Sequence, residues 1–198
     1  MSSWDKYYDQ KVTIPKLLSN LYGQKEFLAE IVNRAKGKVL EVGAGTGTMS
    51  IFLSWLGFQV VSIDKNVTVI ERARQESTRF KGNVTFEVAD TFKLPYSENS
   101  FSVVFHQGLL EHFSDSDIHK ILDEQLRVAP IVVLSVPNHH YPKRDFGDER
   151  LMNKSQWEKI LSKYKLIRSC YYSPKVFPKI YLPKTKIQYM AVIGRADE

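Results

Sequence analysis

The sequence has too little cysteine for a disulfide-bonded protein and no apolar run long enough to span a membrane. Cys170 is its only cysteine, so no disulfide forms within the chain, and a reducing compartment is favoured. No run of about 18 apolar residues is present, which predicts that no membrane is involved. The first ten residues, MSSWDKYYDQ, lack the basic-then-apolar pattern of a secretory signal. These absences together predict a cytoplasmic protein.

Acidic residues are missing from Lys159 to Arg195, where nine lysines and arginines stand, and the chain as a whole has a net charge of +6. Such a segment is typical of a solvated basic face, and the alternative is a docking surface for an anionic partner. The cations are spread along the segment, and no nucleic-acid-binding motif surrounds them. Nucleic acid is therefore a partner that the sequence allows but does not favour.

Short apolar runs alternate with helix-length segments through the middle of the chain. The runs are rich in Val, Ile and Phe, and their interiors are almost continuously apolar, as in strands that are covered on both faces. They occupy residues 38–43, 58–64, 84–90, 101–107 and 131–138. Regular alternation of strand and helix predicts right-handed crossovers and a parallel sheet, which makes this an α/β fold.

The two ends of the chain depart from this alternation. A predicted helix at 154–164 is followed by two predicted strands with no helix between them. They complete a doubly wound, seven-stranded, mostly parallel sheet with an antiparallel last strand. Residues 1–35 predict an N-terminal arm of one or two helices, ahead of a main domain at 36–198. The aromatic residues of the arm either pack on the core or close as a lid over a ligand: Trp4, Tyr7, Tyr8 and Tyr22.

The first predicted strand leads into a glycine-rich turn, VLEVGAGTGTMS, at residues 39–50. Gly43, Gly45 and Gly47 permit left-handed backbone and let a ligand approach the main chain, while the next helix offers free N–H groups. Because doubly wound sheets bind ligands at the carboxyl ends of their strands, the turn predicts a site for a nucleotide-like cofactor. Asp64 ends the second predicted strand, where a carboxylate accepts hydrogen bonds from ribose hydroxyls.

Three segments resemble class I S-adenosylmethionine-dependent methyltransferases. They are VLEVGAGTG, VVSIDKN and VADTFKLPYSENSFSVVFHQGLLEHF, and the similarity extends over about residues 35–165. A nicotinamide cofactor is the competing interpretation, and Asp64 fits either cofactor, but the dinucleotide fingerprint requires glycine where Thr48 stands. The resemblance implies a Rossmann-like fold and S-adenosylmethionine as the cofactor.

The resemblance also implies a role for each motif residue. The turn would form the floor under the methionine part of the cofactor, and Glu41 would reach its amino group directly or through water. Asp64 would hold the ribose hydroxyls, with Lys65 near the adenine, and Asp90 would accept a hydrogen bond from the adenine amino group. The full implied cofactor set is Glu41, Gly43, Ala44, Gly45, Gly47, Asp64, Lys65, Asp90, Thr91, Phe92 and Gln107.

Methyl transfer from a sulfonium needs three aligned atoms, and it needs a general base only where the acceptor carries a proton. Histidine is the natural base near neutral pH. The predicted catalytic residues are His106, at the end of the fourth strand, and His139 and His140, in the polar loop after the fifth strand. The other candidates are the Glu111–His112 pair and Tyr141. No metal is predicted, because these histidines lack zinc-ligand spacing.

The predicted function is transfer of a methyl group to an oxygen or nitrogen of a small-molecule acceptor, because no second substrate domain or nucleic-acid module accompanies the resemblance. Two alternatives stay open. One is an RNA or protein methyltransferase that uses the basic C-terminal surface, and the other is an S-adenosylmethionine-binding protein without catalysis. A fold by itself does not decide among them.

Overall fold

Seven strands form one sheet in the order β3-β2-β1-β4-β5-β7-β6. The structure, a computed structural model, describes residues 11–142, 147–174 and 186–196. The strands are β1 (Val39–Val42), β2 (Val60–Asp64), β3 (Val84–Val88), β4 (Val103–Gln107), β5 (Ile131–Pro137), β6 (Lys165–Pro174) and β7 (Lys186–Gly194).

Six α-helices and one short 3-10 helix lie within the same ranges. Side chains cap the first turn of several of these helices: Asn66 and Ser114 accept backbone N–H groups, and Asn153 forms a capping box. None of these described helices is long and apolar enough to cross a membrane. The helices are α1 (Ile14–Gly23), α2 (Lys25–Arg34), α3 (Thr48–Trp55), α4 (Val67–Arg79), the 3-10 helix (Leu110–His112), α5 (Asp115–Val128) and α6 (Lys154–Leu161).

The sheet confirms the predicted fold class. Strands β1 to β6 share one direction, and β7 runs antiparallel to both of its neighbours. The last strand in the chain is not the edge strand, because β7 inserts between β5 and β6. All four residues of β1 are buried, since helices cover both faces of the sheet.

Each face of the sheet has its own core. On one face, α2 and α3 contribute Phe27, Ile31 and Leu53, all fully buried. On the opposite face, α5 and α6 contribute Ile121 and Trp157, which are also fully buried. Burial of one such side chain stabilises the fold by roughly 1.5–3 kcal/mol. The second helix of the N-terminal arm is therefore held to the sheet by its own apolar face.

Buried polar contacts also attach the arm to the sheet. The hydroxyl of Tyr172, in β6, donates to the side chain of Gln24, between α1 and α2, and lies 2.5 Å from Ser135 Oγ in β5. Tyr22 is 58% exposed, and the amino group of Lys25 lies 4.2 Å from the centre of its ring. The other aromatic residues of the predicted lid lie outside the described residues: Trp4, Tyr7 and Tyr8.

The basic C-terminal segment is described in part, and several of its cations bind to the protein itself. Lys163 forms an ion pair with Asp123 at 2.6 Å, and Arg168 forms one with Glu30. The guanidinium of Arg195 donates to a backbone oxygen of α5 at 2.9 Å. Three lysines of the segment lie outside the described residues: Lys175, Lys179 and Lys184.

Candidate functional site

A cavity of about 390 Å³ opens at the carboxyl edge of the sheet, where β1, β2, β3 and β4 end. Doubly wound sheets bind their ligands at this edge. Part of the predicted cofactor set lines the cavity: Gly43, Asp64, Lys65, Asp90, Thr91, Phe92 and Gln107. The rest of the set does not line the cavity: Glu41, Ala44, Gly45 and Gly47.

The glycine turn between β1 and α3 has left-handed backbone at three positions. Gly43, Gly45 and Gly47 have φ angles of 80°, 51° and 70°, a conformation that residues with a Cβ adopt at a cost. Gly43 is in the cavity wall, and a Cβ there would meet only Leu109, at 3.7 Å. A Cβ at Gly47 would stand 3.0 Å from the ring of Phe86. Packing below the turn therefore requires Gly47, whereas Gly43 leaves room for a ligand.

Glu41 lies beneath this turn, in β1. Its buried carboxylate accepts hydrogen bonds from the hydroxyls of Ser50, at 2.5 Å, and Ser62, at 2.7 Å. Burial raises the pKa of Glu41 to about 7, although both hydroxyls oppose the rise. Glu41 thus connects β1 to α3 and to β2 directly below the glycine turn.

Asp64 ends β2 and ties the glycine turn to that strand. Its Oδ1 accepts the backbone N–H of Asn66 at 2.9 Å, and the carboxylate also accepts from the backbone of Gly45 and Lys65. Burial raises the pKa of Asp64, and these backbone hydrogen bonds oppose the rise. Because Asp64 also lines the cavity, one carboxylate both holds the turn and faces the ligand space.

The segment after β3 contributes a second carboxylate and a hydroxyl without a partner. Asp90 Oδ1 accepts the backbone N–H of Phe92 at 2.9 Å. The buried Oγ1 of Thr91 has no hydrogen-bond partner among the described residues. The ring of Phe92 packs edge-on against Phe113, with 5.6 Å between the ring centres. An unpartnered buried hydroxyl in a cavity wall indicates a place that a polar ligand group fills.

His106 lies in the core and not in the cavity wall. It is fully buried in β4, and neither ring nitrogen has a hydrogen-bond partner within the described ranges. Burial lowers the pKa of His106 to about 3, so the ring is neutral at physiological pH. The next residue, Gln107, lines the cavity, because successive side chains of a strand point to opposite faces. The fold therefore does not bring the predicted base His106 to the cavity.

His139 and His140 follow β5 and are exposed, and neither lines the cavity. Their ring centres are 3.8 Å apart, and the ring of Tyr171 lies 6.0 Å from His139. Partial desolvation, together with the neighbouring His140, lowers the pKa of His139. Because β5 pairs with β4, the two histidines stand at the same edge of the sheet as the cavity.

A polar group between the 3-10 helix and α6 lines the other end of the cavity. Nδ1 of His112 lies 2.9 Å from Oδ1 of Asp148, and its Nε2 lies 3.9 Å from Oε1 of Glu111. His112, Asp148 and Glu149 each place one potential metal-ligand atom within 4.8 Å of the others. The Glu111–His112 pair was a candidate from the sequence, but Asp148 and Glu149 were not, because 36 residues separate His112 from Asp148.

Glu111 lies inside the fold next to this group. Burial, with repulsion from Glu149 and Asp148, raises the pKa of Glu111 to about 8. Its Oε2 has no hydrogen-bond partner among the described residues. Its Oε1 would be 3.4 Å from a Cβ added at Gly108, which lines the cavity. The carboxylate thus stands behind the part of the wall that Gly108 and His112 form.

Comparison with known proteins finds similarity to methyltransferases. A family model described as "Methyltransferase domain" matches residues 39–130. Phosphoethanolamine N-methyltransferase 3 of Arabidopsis thaliana is 34% identical over 92 residues, which are 46% of this chain and 19% of that protein. Norajmaline N-methyltransferase of Rauvolfia serpentina is 28% identical over 132 residues, which are 63% of this chain and 43% of that protein. The chain spans less than half the length of these two relatives.

A solved structure shares the fold over nearly the whole chain. Magnesium protoporphyrin IX methyltransferase of Synechocystis PCC 6803, with bound SAH, has a TM-score of 0.70 at 17% identity, over 98% of this chain and 93% of that one. The matched range begins at β1 and includes the glycine turn, Asp64 and Asp90. The predicted resemblance to class I S-adenosylmethionine-dependent methyltransferases is confirmed over this range, which is just under half of the chain.

Proposed function

We propose that the protein transfers the methyl group of S-adenosylmethionine to an oxygen or nitrogen of a small molecule. The observation that carries this proposal is the cavity, in which the ends of four strands bring together Gly43, Asp64, Asp90 and Gln107. The resemblance implies that these positions would contact the cofactor, which supports the proposal. The similarity covers only 19% of the Arabidopsis thaliana relative, so the acceptor of that relative is not transferred to this chain.

The described residues fit this cofactor. Gly43 leaves the wall open next to the turn, and within the described ranges the buried hydroxyl of Thr91 has no partner, which a polar ligand group would supply. Asp64 would hold the ribose hydroxyls, and Asp90 would accept from the adenine amino group. When bound, S-adenosylmethionine supplies a methyl group that its sulfonium makes electrophilic. The chain itself contributes positioning and the exclusion of water.

Proton removal, where the acceptor requires it, is assigned to the loop after β5. His139 and His140 are exposed at the edge of the sheet that carries the cavity. Partial desolvation and the neighbouring His140 lower the pKa of His139, which favours the neutral ring that can accept a proton. His106 has no part in this proposal, because its ring is enclosed in the core.

A small molecule is favoured over RNA or protein as the acceptor. The described cations Lys163 and Arg168 of the basic segment already form ion pairs within the protein, which reduces their use as phosphate contacts. Two relatives are named for the N-methylation of small molecules, phosphoethanolamine and norajmaline. We further propose a cytoplasmic location, with which the single cysteine agrees.

Calorimetric titration tests the cofactor assignment. We expect S-adenosylhomocysteine to bind and NAD not to bind. Asp64→Ala should weaken this binding about tenfold or more, because charge-assisted hydrogen bonds are worth roughly 1.5–3 kcal/mol. Glu98→Ala is the matched control, since Glu98 is an exposed carboxylate away from the cavity. Binding of NAD in place of S-adenosylhomocysteine would contradict the assignment.

Methyl-labelled cofactor tests turnover. The protein is incubated with labelled S-adenosylmethionine and a cell extract separated into small-molecule, RNA and protein fractions. We expect the label in a small molecule, and we expect Asp64→Ala to lower it about tenfold when the cofactor concentration is well below its dissociation constant. Label in RNA or protein alone would support the first alternative. Cofactor binding with no label in any fraction would support a binding protein without catalysis.

A further inference from the structure

Helix α1 has more apolar surface than its contact with the protein covers. Leu17 is buried under the helix, whereas Ile14, Leu18 and Tyr22 are 63%, 59% and 58% exposed. These three residues are spaced four apart, so they lie in one row along the helix surface. Single exposed apolar side chains are ordinary, but a contiguous row on one helix marks a surface that contacts a partner. Ile14, Leu18 and Tyr22 are called the apolar row below.

Positive charge accompanies the apolar row. Lys11, Lys16 and Lys25 are exposed, and no acidic residue occurs from the first of them to the last. The amino group of Lys25 lies 4.2 Å from the ring centre of Tyr22, at one end of the row. Within the described ranges, Lys11 and Lys16 form no ion pair. The surface around α1 is therefore cationic as well as apolar.

Contacts at both ends hold α1 against the protein, so the apolar row has a fixed direction. Before the helix, the backbone oxygen of Val12 accepts a hydrogen bond from Arg79 of α4. After it, the side chain of Gln24 accepts one from the hydroxyl of Tyr172, near the carboxyl end of β6. Because β6 runs parallel to β5, α1 ends on the side of the sheet that carries the cavity.

We propose that α1 docks on a membrane surface that contains anionic lipid. The apolar row lies among the lipid headgroups in this contact, and the lysines lie close to the lipid phosphates. A tyrosine ring with a polar hydroxyl suits such a boundary. Docking of this kind needs no spanning helix, so the search for a long apolar run, which predicted no membrane, does not detect it. The proposal is independent of the proposed methyl transfer.

A second copy of the chain is the competing occupant of the apolar row. A two-fold dimer uses the same surface of both protomers, so Lys25 at the end of the row would approach the lysines of the other protomer. Like charges that face each other across an interface cost free energy. Three side chains also cover far less than the about 800 Å² per partner that a standard interface buries. An anionic lipid surface attracts the same lysines and covers the row, whereas nucleic acid would leave the row in water.

Co-sedimentation with phospholipid vesicles tests the proposal. We expect the protein to bind vesicles of equal parts phosphatidylglycerol and phosphatidylcholine at least about tenfold more tightly than vesicles of phosphatidylcholine alone. Leu18→Ser should weaken binding to the anionic vesicles about five- to tenfold, because it removes an apolar side chain from the row. Lys25→Gln should weaken it about fivefold, because one cation is lost. The matched controls are Leu166→Ser, at an exposed leucine of β6, and Lys93→Gln, at an exposed lysine after β3, and both should bind as the wild type does.

Three outcomes would overturn membrane docking. The first is equal binding, or none, to the two kinds of vesicle. The second is a folded Leu18→Ser protein that keeps its full affinity, because the contact would then be electrostatic and would not use the apolar row. The third is a dimer in analytical ultracentrifugation that Leu18→Ser abolishes, in a protein that does not bind vesicles, because the row then joins two copies. Failure of S-adenosylhomocysteine to bind would contradict the proposed function alone, since the vesicle assay contains no cofactor.

Discussion

Gly47 is constrained twice, by its backbone and by its neighbours. Its φ is 70°, and an added Cβ would stand 3.0 Å from Phe86 and 3.3 Å from Ala73. We expect Gly47→Ala to lower the free energy of unfolding by roughly 2–4 kcal/mol, the sum of left-handed strain and overpacking. Urea denaturation measures the loss.

Two other glycines distinguish the cost of left-handed backbone strain from the cost of overpacking. Gly57 has a φ of 89° but open space around it, so Gly57→Ala should cost only the strain, roughly 1–2 kcal/mol. Gly37 has neither a left-handed φ nor a close neighbour, and Gly37→Ala should change stability by less than about 0.5 kcal/mol. Equal losses at Gly47 and Gly57 would show that α3 moves freely and that packing does not fix the turn.

Glu41 makes stability depend on pH. Its pKa is raised from 4.5 to about 7 in the folded protein, so folding favours the protonated form. Stability from this group is fully present below pH 4.5 and is lost as the pH rises through about 7, a change of roughly 3 kcal/mol. Glu41→Gln keeps an acceptor for Ser50 and Ser62 and should remove this dependence.

Urea denaturation at about pH 5 and about pH 9 measures the effect. Relative to the wild type, Glu41→Gln should gain stability at the higher pH. The raised pKa of Glu111 gives a dependence of the same sign, which remains in both proteins and cancels in the comparison. Glu98→Gln, at an exposed site, should have the wild-type slope. An unchanged slope in Glu41→Gln would mean that Glu41 is ionised throughout.

At the scale of elements, Tyr172 joins the edge strand β6 to the N-terminal helices. Its hydroxyl bonds to Ser135 in β5 and to Gln24 between α1 and α2. Tyr172→Phe leaves two buried polar groups short of a partner, which should cost roughly 1–3 kcal/mol. Hydrogen exchange should quicken in α1 and α2 more than in β1 and β4. Tyr22→Phe, at an exposed ring, is the control, and a uniform change over all elements would contradict the local link.

The elements themselves were predictable where the pattern is local. Continuous apolar runs predicted the central strands, because helices cover both faces of the sheet. The insertion of β7 between β5 and β6 was not predictable, since it depends on contacts between segments. The position of His106 in the core was not predictable for a related reason. Its strand is apolar on both faces, so the sequence does not indicate which face a single histidine occupies.

At the scale of the molecule, the cofactor side of the cavity follows from contiguous motifs at strand ends. Gly43, Asp64 and Asp90 each end or follow one strand, and parallel strands bring such ends to one edge. The contact between His112 and Asp148 has no such signature. It joins the 3-10 helix to a segment 36 residues later, and only the folded chain shows that Glu111 is buried.

Cofactor binding should stabilise the whole molecule, because the cavity joins the ends of four strands. A ligand at about 100 times its dissociation constant adds about 2.7 kcal/mol of stability. For a chain of 198 residues this corresponds to a rise of roughly 5–10 °C in Tm. We expect that rise with S-adenosylhomocysteine in a thermal denaturation scan, and about half of it or less for Asp64→Ala at the same ligand concentration, because a tenfold weaker affinity leaves about 1.4 kcal/mol. Glu98→Ala should shift as the wild type does. An equal shift in Asp64→Ala would mean that the ribose is held by other residues and would remove Asp64 from the cofactor site.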